Sequence, residues 1–264
     1  MSQSNLVVSP LIWDFCISVE QDVRCWNSTV SRDKYPFYAI LEFIDIYREH
    51  PEDYGVIIST HYVLGITYVN QDSPDETRAR GKVIISDDKD GESGNLRLIY
   101  DAEQIILGKN EMVSLFKLEK AIEFGPRVQP IRMFEAGQTI DPNDTVILSR
   151  LVESPHGSLE RRVHGSNVTV ISKEECKDMQ SRTYPYYTNT PEDCETLIWI
   201  RDFESPCNSY RNDILIQRGQ LAGLKAKFGY EYFLPQPGDH TKRLFYRAVD
   251  ISLLRDAIRE HTGF

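Results

Sequence analysis

Residues 204–229, which read ESPCNSYRNDILIQRGQLAGLKAKFG, combine a polar turn around Cys207 with two apolar runs. The first run is Ile214-Leu215-Ile216, and the second lies between Gly219 and Gly229. Apolar, β-branched runs on both sides of a short polar turn predict a β-hairpin. The polar turn that precedes this hairpin has Arg211 at its tip. The functional role of Arg211 depends on the fold that surrounds the turn.

Outside this hairpin the chain consists of short apolar runs, rich in β-branched and aromatic residues, that are separated by turn clusters. The first series covers 37–47, 54–69, 81–87, 95–107 and 112–119, and the second covers 144–151, 161–172, 196–202, 213–217, 220–229 and 244–249. Only the segment DISLLRDAIREH near the end follows a 3.6-residue period, through Ile251, Leu254 and Ile258. The pattern predicts an all-β protein with two series of about six strands and a C-terminal α-helix.

Length and charge limit the classes of partner. The 264 residues, 41% of them hydrophobic, suffice for one large all-β domain or two small ones with a shared core. The formal charge is −10 and no long basic run occurs, so nucleic acid and anionic lipid are not expected as partners. No run approaches the roughly 18 apolar residues that a membrane span needs.

Cysteine and histidine spacing predicts no metal site and no cofactor. The five cysteines form no C-x-x-C pair, and their odd number allows at most two disulfides and one leftover thiol within the chain. The histidines also lack metal-ligand spacing, so we interpret them as solvated or structurally satisfied side chains. They are His50, His61, His156, His164, His240 and His261.

Three Asn-x-Thr sequons, at Asn27, Asn143 and Asn167, are typical of a secreted glycoprotein. The first residues, MSQSNLVVSPLIWDFC, have no basic region, and Ser9 and Pro10 interrupt their apolar run. We therefore expect no signal peptide in the sequence as given.

Four stretches resemble, in order and at fitting spacings, the chymotrypsin-like (trypsin-like) serine peptidases. They are YPFYAIL, GVIISTHYVLGITYV, NEMVSLFKLEKAIEFGPRVQPIRM, and the pair VTVISKEECKDM and CNSYRNDILIQRGQLAG. The resemblance covers about residue 30 to the end and implies two six-stranded antiparallel β-barrels with a C-terminal helix. It implies an N-terminal extension over 1–29, a first barrel over about 30–125, a second over about 138–248, and a helix over about 249–262.

The resemblance implies that all three positions of the catalytic triad are replaced. Tyr68 stands where the family has its general-base His, while His61 lies seven residues upstream. Glu111 stands at the position of the Asp that orients the base, and Arg211, four residues after Cys207, stands at the position of the nucleophile. A phenol with a pKa of about 10 is no general base at neutral pH, and a guanidinium cannot attack a carbonyl.

The loop around the nucleophile position also lacks its supporting residues. The family's G-D-S-G-G run aims backbone N–H groups into an oxyanion hole, whereas this chain has Ser209-Tyr210-Arg211-Asn212-Asp213, without glycine. Tyr210 replaces the Asp that pairs with the new N-terminus during activation in that family. We interpret Ser209, two residues from the nucleophile position and without an aligned His, as a turn residue.

The resemblance implies a disulfide between Cys176 and Cys194 in the second barrel. Cys207 matches a family half-cystine without its partner, so it is either a free thiol or bridges another chain. Cys16 and Cys25 are close enough in sequence for a local pair.

These observations favour a non-catalytic serine peptidase homologue that binds a protein partner: an active peptidase, an inhibitor or another extracellular protein. The alternative is a serine-type endopeptidase-like hydrolase with residual or altered activity, and a third is a decaying gene product. Family resemblance implies secretion. We also hypothesise that Glu111 and Arg211 form an ion pair across the former cleft, with Tyr68 between them.

Overall fold

The computed structural model describes most of the two predicted strand series. The described residues are 25, 28–31, 34–43, 52–66, 80–86, 97–107, 113–153, 161–182, 193–202, 213–225 and 244–264.

Six antiparallel strands form the first barrel, in the closed order β1-β2-β3-β6-β5-β4. Their bounds are β1 (Tyr38–Phe43), β2 (Glu52–Ile57), β3 (Tyr62–Ile66), β4 (Arg80–Ser86), β5 (Arg97–Leu107) and β6 (Val113–Leu118). Strands β2 and β3 are joined by a tight turn, because Ile58 and Ser59 both donate backbone hydrogen bonds to the carbonyl of Tyr62. Within the predicted run 54–69, residues 54–66 therefore form a hairpin and not one strand.

The second barrel closes in the order β11-β8-β9-β10-β13-β12, with β12 pairing back to β11. A short strand, β7, joins its sheet in parallel beside β12. The bounds are β7 (Arg132–Met133), β8 (Val146–Glu153), β9 (Arg161–Val170), β10 (Leu197–Asp202), β11 (Ile214–Gln217), β12 (Gln220–Lys225) and β13 (Leu244–Asp250). The predicted hairpin is β11 and β12, joined at Arg218 and Gly219, which both have positive φ. The double-barrel fold is confirmed.

The described residues also include the helices α1 (Lys173–Arg182), α2 (Asp193–Thr196) and α3 (Ile251–Thr262). The predicted C-terminal helix corresponds to α3, which begins at the N-cap Asp250 and ends at Gly263 in the left-handed conformation. The expectation that α3 is the only helix was wrong, since α1 and α2 precede β10.

Each barrel has its own interior, and a third core joins them. Leu41, Val83 and Phe116 belong to a cluster inside the first barrel, and Leu148 and Ile200 to one inside the second. The largest cluster draws residues from both barrels and from α3, which we call the shared core. Its members include Leu64, Ile66, Val113, Leu115, Ile214, Leu221, Leu224, Ile251 and Ile258.

Candidate functional site

Three strand ends meet at the shared core. Strand β3 ends at Ile66, β6 begins at Val113, and these two residues are paired across the β3–β6 ladder. Strand β11 begins at Ile214, and all three residues belong to the shared core, each about 1% exposed. The chain therefore leaves β3, enters β6 and enters β11 around one buried region between the barrels.

The predicted triad positions follow or precede these strand ends closely in sequence. Tyr68 comes two residues after Ile66, Glu111 two residues before Val113, and Arg211 three residues before Ile214. Tyr68, Glu111 and Arg211 themselves lie outside the described residues. Ser209 and Tyr210 do as well. The hypothesis of a Glu111–Arg211 ion pair thus stays a prediction.

A different buried ion pair, which the sequence analysis did not predict, lies at the start of β11. Asp213 is completely buried, and its Oδ2 is 3.5 Å from a terminal guanidinium nitrogen of Arg150, which is 1% exposed. Strands β8 and β11 are antiparallel with Ile214 opposite Ser149, and continuing that register by one residue sets Asp213 opposite Arg150. Asp213 is the last residue of the 209–213 run.

A buried phenol adjoins this ion pair. The Tyr38 hydroxyl donates a hydrogen bond of 2.9 Å to the Ser149 hydroxyl, and Tyr38 is 1% exposed. Burial raises the pKa of Tyr38, and the negative charge of Asp213 raises it further. Tyr38, Ser149, Arg150 and Asp213 therefore form a buried polar layer at the junction of β1, β8 and β11, which we call the polar layer.

Hydroxyl nucleophiles in peptidases need a general base that accepts their proton, and in the trypsin-like triad this base is an imidazole. Ser28 Oγ lies 2.9 Å from His164 Nδ1, but the Ser28 hydroxyl donates its single proton to the Cys25 carbonyl, at 2.7 Å. His164 Nδ1 must then be the donor to Ser28, which is the reverse of the role of a general base. This contact fastens the segment before β1 to β9.

A second hydroxyl–imidazole contact joins Thr60 and His61 in the exposed β2–β3 turn, at 3.1 Å. It links two consecutive residues on the surface and has no buried third group to orient the ring. We find no nucleophile–base arrangement of the triad type among the described residues.

The cysteine predictions have two outcomes. Cys176 and Cys194 form a disulfide, as predicted. Cys25 is also disulfide-bonded and is buried against Val152, but its partner lies outside the described residues. Cys16 and Cys207 are outside them too, so their pairing stays a prediction.

Two of the three sequon asparagines are described. Asn143 and Asn167 are both exposed, whereas Asn27 lies outside the described residues. Among the described residues, no group of three His, Cys, Asp or Glu side chains could hold a metal ion. In the same part of the chain, every helix is too short or too polar to cross a membrane.

Comparison with solved structures places the fold among the trypsin-like serine proteases. The granzyme GrC aligns with a TM-score of 0.59 at 14% identity, over 90% of this chain and 98% of that one. Kallikrein-related peptidase 10 gives a TM-score of 0.58 at 16% identity, over 89% and 98% of the two chains. At such identities the likeness concerns the fold alone.

A third neighbour is an inactivated protease. The scabies mite inactivated protease paralogue S-D1 aligns with a TM-score of 0.59 at 13% identity, over 89% of this chain and 96% of that one. No family model matches the chain, and no curated protein matches it either.

Proposed function

We propose that this protein is a non-catalytic homologue of the trypsin-like serine peptidases that works as a protein-binding or regulatory module. One observation supports the proposal above the others. The ends of β3, β6 and β11 meet at one shared core, as a triad requires, while the residues at the corresponding sequence positions are Tyr68, Glu111 and Arg211.

The side chains at these positions cannot perform acyl transfer. An arginine side chain stays protonated in a protein and offers no lone pair to a carbonyl carbon. A tyrosine hydroxyl, with its pKa near 10, holds its proton at neutral pH and so cannot take one from a nucleophile. Replacement of both groups removes the covalent step and its proton transfer together.

The sequence of the former nucleophile loop supports the same proposal. An oxyanion hole requires backbone N–H groups in a conformation that glycine adopts most easily. The run Ser209-Tyr210-Arg211-Asn212-Asp213 contains no glycine, and its last residue, Asp213, is buried in an ion pair with Arg150.

The proposed partner is a protein: an active peptidase, a peptidase inhibitor or another extracellular protein. The Cys176–Cys194 disulfide supports an oxidising compartment, since such bonds persist mainly in secreted proteins. Secretion is part of this proposal.

A fluorophosphonate probe, which labels activated serines covalently, tests the lack of catalysis. We expect no label on the folded protein when trypsin beside it is labelled stoichiometrically. The heat-unfolded protein is the control for non-specific labelling. Label on the folded chain that disappears in Ser209→Ala would overturn the proposal in favour of a hydrolase with altered activity.

Binding is tested separately, by surface plasmon resonance with the immobilised full chain. The analytes are active-site-blocked trypsin and a protein inhibitor of trypsin. We expect saturable binding of one of them that is weakened by Arg211→Ala and unchanged by Lys82→Ala, an exposed substitution on β4 of the first barrel. Absence of binding to both analytes contradicts the peptidase-or-inhibitor form of the proposal.

A further inference from the structure

We infer that Asn143 and Asn167 are acceptors for N-linked oligosaccharides, and that both sugars lie at the end of the second barrel opposite the start of β11. This inference rests on the secretion that is part of the proposed function, and it does not depend on the lack of catalysis. It rests on the exposure of the two sequons and on the register of β8, β9 and β11.

The sequon Asn167-Val168-Thr169 lies within strand β9. Side chains alternate between the two faces of a strand, so Asn167 and Thr169 share one face and Val168 lies on the other. Asn167 and Thr169 are exposed, whereas Val168 packs against the interior cluster of the second barrel. The acceptor amide and the hydroxyl that the sequon requires therefore both lie on the solvent face.

The sequon Asn143-Asp144-Thr145 occupies a turn just before β8. Asp144 N donates to the carbonyl of Asp141, at 3.2 Å, and Asn143 N donates to Asp141 Oδ1, at 3.0 Å. These bonds close a turn that points Asn143 outward, and Thr145 is exposed as well. Within the described part of the chain, hydrogen bonds engage neither the side-chain amide of Asn143 nor that of Asn167.

Strand register brings the two acceptors to the same end of the barrel. Asn167 is opposite Ile147 in the β8–β9 ladder, and Asn143 comes three residues before Val146, where β8 begins. Val146 is also paired with Gln217, at the far end of β11. Both sequons thus lie at the end of the barrel that carries the β11–β12 turn, and strand β8 separates Asn167 from that turn.

The β11–β12 turn is fixed to the Asn143 turn by charge. Arg218 Nε is 2.5 Å from Asp144 Oδ2, and its terminal nitrogen is 3.1 Å from Asp141 Oδ2. From Ile214 to Gln217, β11 extends about 10 Å, at roughly 3.3 Å per residue. The Asn143 turn and the buried Asp213 therefore lie at opposite ends of this strand.

The modification is a group transfer from a lipid-pyrophosphate-linked oligosaccharide, catalysed by an oligosaccharyltransferase. The asparagine Nδ2 forms a bond to the anomeric carbon of the first sugar. The bond between that carbon and the pyrophosphate oxygen breaks, the lipid pyrophosphate leaves, and Nδ2 loses one proton. The sequon threonine supplies the hydroxyl by which the enzyme recognises the acceptor.

The test is expression of the full chain behind a cleavable secretion leader in insect cells, with Asn27→Gln as background so that two sequons remain. We expect peptide mass spectrometry of the secreted protein to find oligosaccharide on both Asn143 and Asn167. Digestion with a peptide N-glycosidase then removes both sugars and converts both residues to aspartate.

Matched variants separate the sequon from its surroundings. Thr145→Ala and Thr169→Ala each keep the asparagine and should each remove one sugar, whereas Asp144→Asn breaks the contact with Arg218, keeps an Asn-x-Thr sequon and should keep the sugar. Absence of oligosaccharide from either asparagine in secreted, disulfide-bonded protein would overturn the inference for that residue. A co-secreted glycoprotein verifies that the cells glycosylate.

Discussion

Arg150 and Asp213 face each other across β8 and β11 with almost no access to water. Removing one member of such a pair leaves a buried charge without its nearest counter-charge, which costs about 3–5 kcal/mol. We therefore expect Arg150→Met and Asp213→Leu each to lower the free energy of unfolding, measured in urea, by that amount.

The double variant Arg150→Met/Asp213→Leu is the control for this prediction. Because it removes both charges and leaves apolar side chains, we expect its stability to lie within about 1.5 kcal/mol of the parent protein. A double variant as unstable as the sum of the single ones would show that the two charges do not stabilise each other.

The raised pKa of Tyr38 predicts that the free energy of unfolding falls at alkaline pH. Its pKa is raised above the ordinary value of 10.0, so the folded protein keeps a proton that the unfolded chain releases. The stability associated with this group is complete below about pH 10 and is lost as the pH rises above that value. We expect Tyr38→Phe to flatten the fall in unfolding free energy above about pH 10.

The cost of Tyr38→Phe at neutral pH should be about 1 kcal/mol, for the hydrogen bond to Ser149. Tyr100→Phe is the comparison, because Tyr100 is only partly buried and its pKa is raised mainly by that partial burial. An alkaline fall that Tyr38→Phe does not change contradicts the prediction.

The sequence predicts little of the polar layer, since its contacts join residues far apart in the chain. One local signal was present: Arg150 lies in the mostly apolar strand β8, VILSRLVE, at a position that the barrel buries. A charge in such a run indicates a buried partner. It does not identify that partner, because only the β8–β11 register brings Asp213 opposite Arg150.

Among the elements, helix α1 was the one of substantial length that the sequence analysis missed. Its residues, KEECKDMQSR, are mostly charged or polar, and they show none of the apolar spacing by which α3 was predicted. Cys176 and its disulfide to Cys194 join α1 to α2 beside Trp199. Tertiary contacts of this kind cannot be read from a local pattern.

Loss of the disulfide should destabilise this region first. Cys176 and Cys194 are 18 residues apart, and a loop of that size corresponds to about 3 kcal/mol in the chain-entropy account. We expect Cys176→Ala/Cys194→Ala to lose that much unfolding free energy, and amide exchange in α1 to accelerate more than in β3. Equal acceleration in both elements would contradict a local role.

Lysine side chains of α1 also contact α2. Lys173 and Lys177 hydrogen-bond to the Glu195 carboxylate, at 2.6 and 2.8 Å, and lower its pKa to about 2. This exposed contact therefore adds stability above the ordinary pKa of 4.5, and the contribution is lost as the pH falls from there toward 2.

Carboxyl NMR titration measures this pKa directly. Lys173→Met and Lys177→Met should each raise the pKa of Glu195, and the double variant should return it to its ordinary range. A pKa of Glu195 that stays near 2 in the double variant would assign the shift to another group.

At the scale of the molecule, the shared core predicts that the two barrels unfold together. Ile214 of β11 packs in the same cluster as Leu64 of β3. We expect Ile214→Ala to lower amide-exchange protection in β3 and β13 alike, by about 2–5 kcal/mol. Protection lost in β13 alone would mean that the barrels unfold independently.

Leu253→Ala is the control for this experiment. Leu253 lies on α3 with 58% of its surface exposed, so the substitution should change protection by no more than about 0.5 kcal/mol in either barrel.

The double barrel was largely predictable because most of its strands correspond to a local run of apolar and β-branched residues. Residues 197–202 and 244–250 form β10 and β13 almost where the apolar runs at 196–202 and 244–249 predicted them. The two-residue strand β7 is too short for any such pattern. It is a strand because it pairs in parallel with β12. For the candidate site, the sequence allowed us to identify the replaced triad positions. It did not allow us to predict the contacts of the polar layer at the start of β11.

Helix α3 has a consequence for how the chain is made. The hydroxyl of Tyr62 in β3 donates a hydrogen bond to the carbonyl of His261, and Ile251 and Ile258 pack in the shared core. During synthesis the ribosome releases the first barrel long before it releases the helix that covers that barrel. The first barrel therefore keeps part of its apolar surface exposed until α3 has been synthesised and has packed against it.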